Sequence, residues 1–384
     1  MPTPIRCTIM RGGTSKGIFL RECDLPADPA ARDRTILKIF GSPDKRQIDG
    51  LGGADPLTSK CCIIGPPPRN HPRVTDAHLS FTFAQVEINE PHVDRHGICG
   101  NLSSAVAAFA IWDNMVEVTE PVTQVRIFNT NTARLLIADV EVKDGRPVET
   151  GNYAIPGVPG TGSKMPIDFS DTVGAKTGML LPTGNTRDIL DVPKVGKIEA
   201  SLVDAGNPLV FIRAADMGLK GTETAAAIDA DKALCEKLER IRSEAAVILG
   251  LAKDRDSATR TSPGLPMIAM VAPPQDYENG LVGGTVAGAN CDFLSRLMFM
   301  QQMHKTYAGT ATVCTGVAAR IAGTMVHEVC RPEAQDRVQV RFGHPAGIIE
   351  MESAVEMAGN TYNVTRAAIA RTARRIMDGT VYVT

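Results

Sequence analysis

The chain has 384 residues, 43% of them hydrophobic and 22% charged, which fits two ordinary globular domains better than one small one. A formal net charge of −2 excludes a basic field for nucleic acid or for an acidic membrane surface. No run of about 18 apolar residues is present, and Met1-Pro2-Thr3-Pro4-Ile5-Arg6 lacks an apolar signal segment, so a cytoplasmic location is expected.

Nine cysteines, an odd number with no C-x-x-C pair, argue against a disulfide framework or a zinc knuckle. Aromatic residues are scarce while glycine (35) and proline (25) are plentiful, which suits short strands, many turns and sites lined by backbone.

In chain order, Ile5 to Met10 and Ile18 to Leu20 read as strands joined by Arg11-Gly12-Gly13-Thr14-Ser15-Lys16-Gly17. That turn lacks the spacing of a phosphate loop, and no helix follows it. Its backbone N–H groups, two hydroxyls and cation suit a carboxylate about as well as a phosphate; a plain hairpin tip is the alternative. A helix is predicted from Pro29 to Ile39, opened by Asp28 and closed near Gly41.

Gln47 to Lys60 is a glycine-rich loop. Lys60 is the last polar residue before the buried run Cys61 to Ile64, where desolvation can lower its pKa, although most such lysines snorkel to water. A surface loop is expected from Pro66 to Asp76. His78 to Ile88 alternates as a strand, with Gln85 near its end. After a helix at 102–112, strands at 122–128 and 135–142 flank Asn129-Thr130-Asn131-Thr132, a polar turn able to line a site.

Residues 151–184 are rich in Gly and Pro, and the crossing into a second half is placed there. This gives domains over 1–183, to which C-terminal strands can cross back, and over 184–384. In the second half, strands at 198–203 and 209–212 flank the glycine turn Asp204-Ala205-Gly206-Asn207-Pro208. Ala225 to Leu251 reads as helix with a break near Asp229, and Met267 to Val271 as a buried strand. Asp292 to Met300 is predicted as a helix running toward His304 and Lys305. A second glycine-flanked helix start follows at Tyr307 to Arg320, then strands at 338–342, 348–357 and 361–369. Two glycine turns and two buried helix starts, one pair per half, suggest an internal duplication with a site between the halves.

The most reactive-looking stretch is Gly97-Ile98-Cys99-Gly100-Asn101. Cys99 is predicted at the start of a buried helix, where unpaired N–H groups and the dipole favour an anion. Such a position lowers a thiol pKa. The same N–H groups suit a carboxylate or a developing enolate. A small buried residue near a cap is the competing reading.

Met10 to Gly17, Leu57-Thr58-Ser59-Lys60, Cys99-Gly100-Asn101-Leu102-Ser103 and Gly343-His344-Pro345-Ala346-Gly347 together resemble the PrpF-type isomerase family. That family includes 2-methylaconitate cis-trans isomerases, 3-methylitaconate delta-isomerases and 4-oxalomesaconate tautomerases. The likeness spans the chain from Ile5 to the Arg371-Thr372-Ala373-Arg374-Arg375 segment, and is nearest the methylitaconate branch through Phe40 to Asp44, Arg46 to Leu51 and Asn129 to Thr132. Pro66 to His78 is longer than the family pattern and should lie on the surface.

The resemblance implies an α+β, diaminopimelate-epimerase-like fold of two pseudo-symmetric domains, each a β-barrel-like sheet around a central helix. It implies Lys60 and Cys99 as acid–base groups and does not make Cys314 catalytic. The reaction it implies is an allylic proton shift through a dienolate, which needs a base, an acid and fixed dipoles around carboxylates. N–H groups at Gly100 and Asn101 and at Gly309, Thr310 and Ala311 offer the dipoles. Thr14, Ser15, Arg296 and His304 are candidate carboxylate anchors, with Gln85, Asn131 and Asn207 as further substrate-binding candidates.

No metal, nucleotide or redox cofactor is expected. The expected partner is a small di- or tricarboxylate, with no nucleic acid and no membrane; assembly into a homo-oligomer stays open. Competing readings are a 4-oxalomesaconate-type tautomerase, a two-thiol racemase or epimerase using Cys99 and Cys314, and a carboxylate-binding protein without chemistry.

Overall fold

Burial largely alternates along Thr3–Gly12 but is continuous along Lys60–Gly65. This is the difference between a strand with one face to solvent and a strand covered on both. The computed structural model describes residues 2–68, 74, 76–359 and 361–384. The surface loop expected between Pro66 and Asp76 therefore falls mostly outside the described residues. Two units are distinguished: Met1–Ile167 with Ala370–Thr384, and Asp168–Ile369.

In the first unit, β1 (Thr3–Gly12) and β2 (Ser15–Arg21) form a hairpin with Gly12 opposite Ser15. The helix α1 (Pro29–Phe40) begins where the Asp28 carboxylate accepts from the Ala31 N–H and ends at Gly41, whose φ is 74°. The strand β3 (Lys60–Gly65) runs parallel to β2, and β4 (Leu79–Val86) antiparallel to β3. A short β5 (Val93–Asp94) pairs with the end of β4 and leads to the helix α2 (Gly100–Trp112). Then β6 (Val122–Asn129) runs parallel to β4, and β7 (Arg134–Lys143) and β8 (Arg146–Pro147) follow as antiparallel partners. The strand β9 (Met165–Asp168) pairs with β7.

The helix α2 is buried from Gly100 to Ile111 and packs against β1, β2, β3, β6, β7 and β8. From Ala105 to Ile111 it is Ala, Val, Phe and Ile with no polar face, a stretch that has to be covered all round, so the sheet wraps it.

The second unit starts with β10 (Asp188–Val192), β11 (Gly196–Ala205) and β12 (Asn207–Arg213), the last two a hairpin turning at Gly206 with φ 80°. The break predicted near Asp229 falls at Asp231, between α3 (Ala225–Ala230) and α4 (Lys232–Ile248), where the Asp231 carboxylate accepts from the Leu234 N–H and so caps α4. The helix α5 (Arg255–Thr261) leads to β13 (Met267–Ala272), and a small ribbon, β14 (Tyr277–Glu278) and β15 (Thr285–Val286), precedes β16 (Phe293–Phe299) and β17 (Gln302–Met303). The buried helix α6 (Gly309–Ala318), α7 (Met325–Val329), β18 (Gln339–His344), β19 (Gly347–Ala358) and β20 (Thr361–Arg371) follow. The chain then returns to the first unit as β21 (Ala373–Val383), which pairs antiparallel with β1 and packs on α2.

The expected helix over 292–300 is incorrect: the segment is the strand β16, antiparallel to β13 and parallel to β18. Phe293 through Met298 are all buried. A strand covered on both faces shows no period of two, so its run of apolar residues imitates a buried helix.

The two units share one strand plan. Along β1-β2-β3-β4-β6-β7 the pairings run antiparallel, parallel, antiparallel, parallel, antiparallel. The same alternation runs along β11-β12-β13-β16-β18-β19. In each unit a glycine hairpin meets the first turn of the central helix. A Cβ on Gly12 would lie 2.6 Å from the Asn101 carbonyl oxygen, and one on Gly206 3.1 Å from that of Thr310.

Candidate functional site

Register places Gly17, Lys60, Gln85 and Asp94 in one row across β2, β3, β4 and β5. The row brings the Lys60 ammonium within 2.7 Å of the Gln85 amide oxygen, to which it donates. Gln85 Nε2 donates to the carbonyls of Pro56 and Ser59, both at 3.1 Å, so the oxygen of its amide is the end turned to the lysine. Lys60 also lies over the Phe83 ring, 5.3 Å from its centre. Only 4% of Lys60 is exposed. Burial holds its pKa below the ordinary lysine value, while negative charge at Cys99, then Cys62 and Asp55, pulls it back up. Lys60 and Cys99 are thus in electrostatic reach of one another.

Cys99 is the N-cap residue of α2, with extended backbone, and its thiol makes no capping hydrogen bond. Its carbonyl accepts from the Ser103 N–H and hydroxyl. Gly100 and Asn101 are the first two residues of the helix. Asn101 Nδ2 donates to Thr14 Oγ1 at 3.0 Å, and Asn101 Oδ1 accepts from Arg371 Nε at 2.8 Å. Ser15 is buried opposite Gly12, at the start of β2. Thr14, Ser15, Lys60, Gln85, Cys99, Gly100 and Asn101 therefore all belong to the first unit. This unit thus holds a thiol at a helix start and, in its electrostatic reach, a buried lysine of lowered pKa.

Asn131 has a different setting. Its amide accepts from the Phe83 N–H and donates to the carbonyls of Phe83 and Arg95, tying β4 to the segment that leads to Cys99.

In the second unit Asn207 Nδ2 donates to Thr310 Oγ1 at 2.9 Å, repeating the Asn101–Thr14 contact with the two residue types exchanged between hairpin and helix. Gly309, Thr310 and Ala311 open α6. Arg296 is enclosed: its guanidinium lies 4.8 Å from the Tyr277 ring centre and donates to the carbonyls of Glu223, Ser295 and Gly343. Burial draws it down to about 10, against charge at Tyr277 and Glu223. The His304 ring accepts from the Thr306 N–H through Nδ1 at 3.1 Å.

The shared strand plan shows what the second unit lacks. The cap of α6 is Ala308 where that of α2 is Cys99. Lys60 opens β3 beside Gly17, two positions after Ser15; Met267 opens β13 beside Leu209, two positions after Asn207. Cys314 is buried inside α6 with its thiol toward the Val203 carbonyl at 3.3 Å, and burial pushes its pKa far above the ordinary thiol range. Among the described residues no three His, Cys, Asp or Glu side chains gather into a metal-binding group, and no helix is long and apolar enough to cross a membrane.

Arg371 was not singled out by the sequence as a site residue. The only signal is a cation ending the apolar run Ala367-Ala368-Ile369-Ala370.

Two units of one strand plan, each a sheet around a buried helix whose start meets a glycine hairpin, define a diaminopimelate-epimerase-like fold. A hydroxyproline epimerase from Agrobacterium vitis shares it at a TM-score of 0.57 and 11% identity, covering 100% of this chain and 94% of that one. The chain belongs to the PrpF protein family, which it matches over residues 3–384, and it is an isomerase. It is 53% identical to a 3-methylitaconate isomerase of Eubacterium barkeri over 99% of this chain and 97% of the relative. It is 38% identical to a 2-methyl-aconitate isomerase of Shewanella oneidensis over 99% and 96%. The crystal structure of a methylitaconate-delta-isomerase superposes with a TM-score of 0.81 at 52% identity, covering 100% of this chain and 96% of that one.

Proposed function

We propose that the protein moves the double bond of a small unsaturated di- or tricarboxylate, methylitaconate first among them, by a 1,3-shift of an allylic proton. Lys60 and Cys99 are the acid–base pair: one removes the allylic proton, and a proton is returned at the far end of the three-carbon unit. The intermediate is a dienolate, whose charge the first-turn N–H groups of α2 at Gly100 and Asn101 are suited to hold. The observation that carries this reading is the buried Lys60, held by a neutral amide and in electrostatic reach of a thiol at a helix start. The similarity to a methylitaconate isomerase over nearly the whole chain supports the choice of acid.

The test is proton NMR in deuterated water with methylitaconate, methylaconitate, aconitate and oxalomesaconate. Deuterium entering the allylic positions of methylitaconate as the double bond migrates is the expected result. Absence of both exchange and isomerisation for all four acids overturns the reading.

A further inference from the structure

Arg371 lies at the beginning of the segment that returns to the first unit, and only 5% of it is exposed. Its Nε donates to Asn101 Oδ1 at 2.8 Å and one terminal nitrogen donates to the Ala370 carbonyl at 2.9 Å. A Cβ on Gly13 would come within 3.0 Å of Arg371 Cδ and 2.3 Å of Asn101 Oδ1, so the hairpin tip packs directly on this pair. A guanidinium only donates, whereas an amide has a donor end and an acceptor end. The arginine therefore decides which way Asn101 points: oxygen to Arg371, nitrogen to Thr14 Oγ1.

We propose that Arg371 is a positioning residue of the site, which sets the orientation of Asn101 and keeps a fixed positive charge beside the Cys99 helix start. The proposal rests on Cys99 and Lys60 being the acid–base pair. Burial lowers the guanidinium to about 10, and negative charge at Tyr153 and Cys99 opposes that shift, which puts the thiol within the arginine's field. A buried arginine costs desolvation, and a helix start that takes an anion gains from a cation placed there in advance. Orientation and charge separate by substitution: Arg371→Lys keeps the charge and loses the planar fork, while Arg371→Gln loses the charge.

The experiment follows the rate of iodoacetamide alkylation of Cys99 by peptide mass spectrometry at pH 7, without substrate, in the parent, Arg371→Gln and Arg371→Lys proteins. It is paired with kcat and KM on methylitaconate. Arg371→Gln is expected to slow the alkylation by roughly three- to tenfold, because the cation beside the helix start is gone. Arg371→Lys should restore most of that rate yet keep a kcat deficit of roughly tenfold or more, because Asn101 is no longer oriented. A mere strut would lower the melting temperature of both variants and leave the alkylation rate and kcat unmoved, and that outcome overturns the proposal. If Arg371→Gln does not fold, Arg371→Lys alone decides: parental kcat overturns the proposal, and reduced kcat with a parental alkylation rate supports it. Because alkylation needs no substrate, a wrong choice of acid shows as absent turnover in the parent, with the alkylation result still readable.

Discussion

The Lys60 ammonium donates to the Gln85 amide oxygen across the β3–β4 pair. That acceptor is neutral, so the contact itself adds no charge to hold the lysine as a cation, and burial lowers its pKa against the negative charge at Cys99, Cys62 and Asp55.

Gln85→Glu should therefore pin Lys60 in its charged form. With Lys60 as the base, the expected result is a fall in kcat of on the order of tenfold or more at pH 7 and an acid limb of the pH–rate profile moved to higher pH; with Lys60 as the acid, the basic limb moves to higher pH instead. The pH–rate profile checks it. An unmoved limb would mean that Lys60 does not change protonation during turnover.

Lys60→Ala should lose about 10²–10⁴ in turnover, the usual cost of removing an acid–base group. Cys99→Ser should also be impaired, because a hydroxyl is a much poorer acid or base than a thiol. Deuterium exchange into substrate separates the two: the variant that still exchanges without migration of the double bond retains the base. Near-parental turnover in both variants would remove the pair from the mechanism.

Cys314→Ala should isomerise at close to the parental rate. Its thiol is inside α6 and the helix start itself carries Ala308, so the second unit offers no thiol where the first has Cys99. Steady-state assays decide. A loss as large as that of Cys99→Ser would restore the two-thiol reading.

The Glu87 carboxyl is raised from its ordinary 4.5 to about 7, chiefly by burial and then by the negative charges of Asp94 and Glu90. A carboxyl raised on folding favours the native state below its unfolded pKa. That contribution is lost as pH climbs through about 7. Glu87→Gln should therefore narrow the difference in melting temperature between pH 5 and pH 8, by raising the value at pH 8. Thermal melts at the two pH values test this, and an unchanged difference would show that Glu87 does not titrate in that window.

What the sequence shows of the site is local chemistry. Cys99 between glycines ahead of an apolar helix and Lys60 ahead of an apolar strand are both oddities within a few neighbours, and both are legible. Gln85 is legible because the alternation of His78 to Ile88 sets it near a strand end. Arg371 is not, because its partner Asn101 is 270 positions away and no short-range pattern links them. Asp292 to Met300 misleads for another reason: burial of the strand on both faces erases the period that distinguishes strand from helix. Asn131 reads as part of a polar turn able to line a site, and its bonds to Phe83 and Arg95 are a pairing that only the fold creates.

The strand β21 lies along β1 with Thr3 opposite Val383, and it covers one side of α2. This has a bearing on how the chain is made. Synthesis delivers the Gly12 hairpin, Lys60 and Cys99 early, but the strand that flanks β1 and the arginine that orients Asn101 emerge only after the whole second unit. Domains ordinarily fold in order of emergence. Here the unit that begins first is completed last, and the apolar flank of α2 waits uncovered in the meantime. A ribosome that stalls between about residue 113 and residue 370 leaves a chain that carries both Lys60 and Cys99, has no oriented Asn101, and shows an unfinished apolar face to chaperones and to its neighbours on the same message.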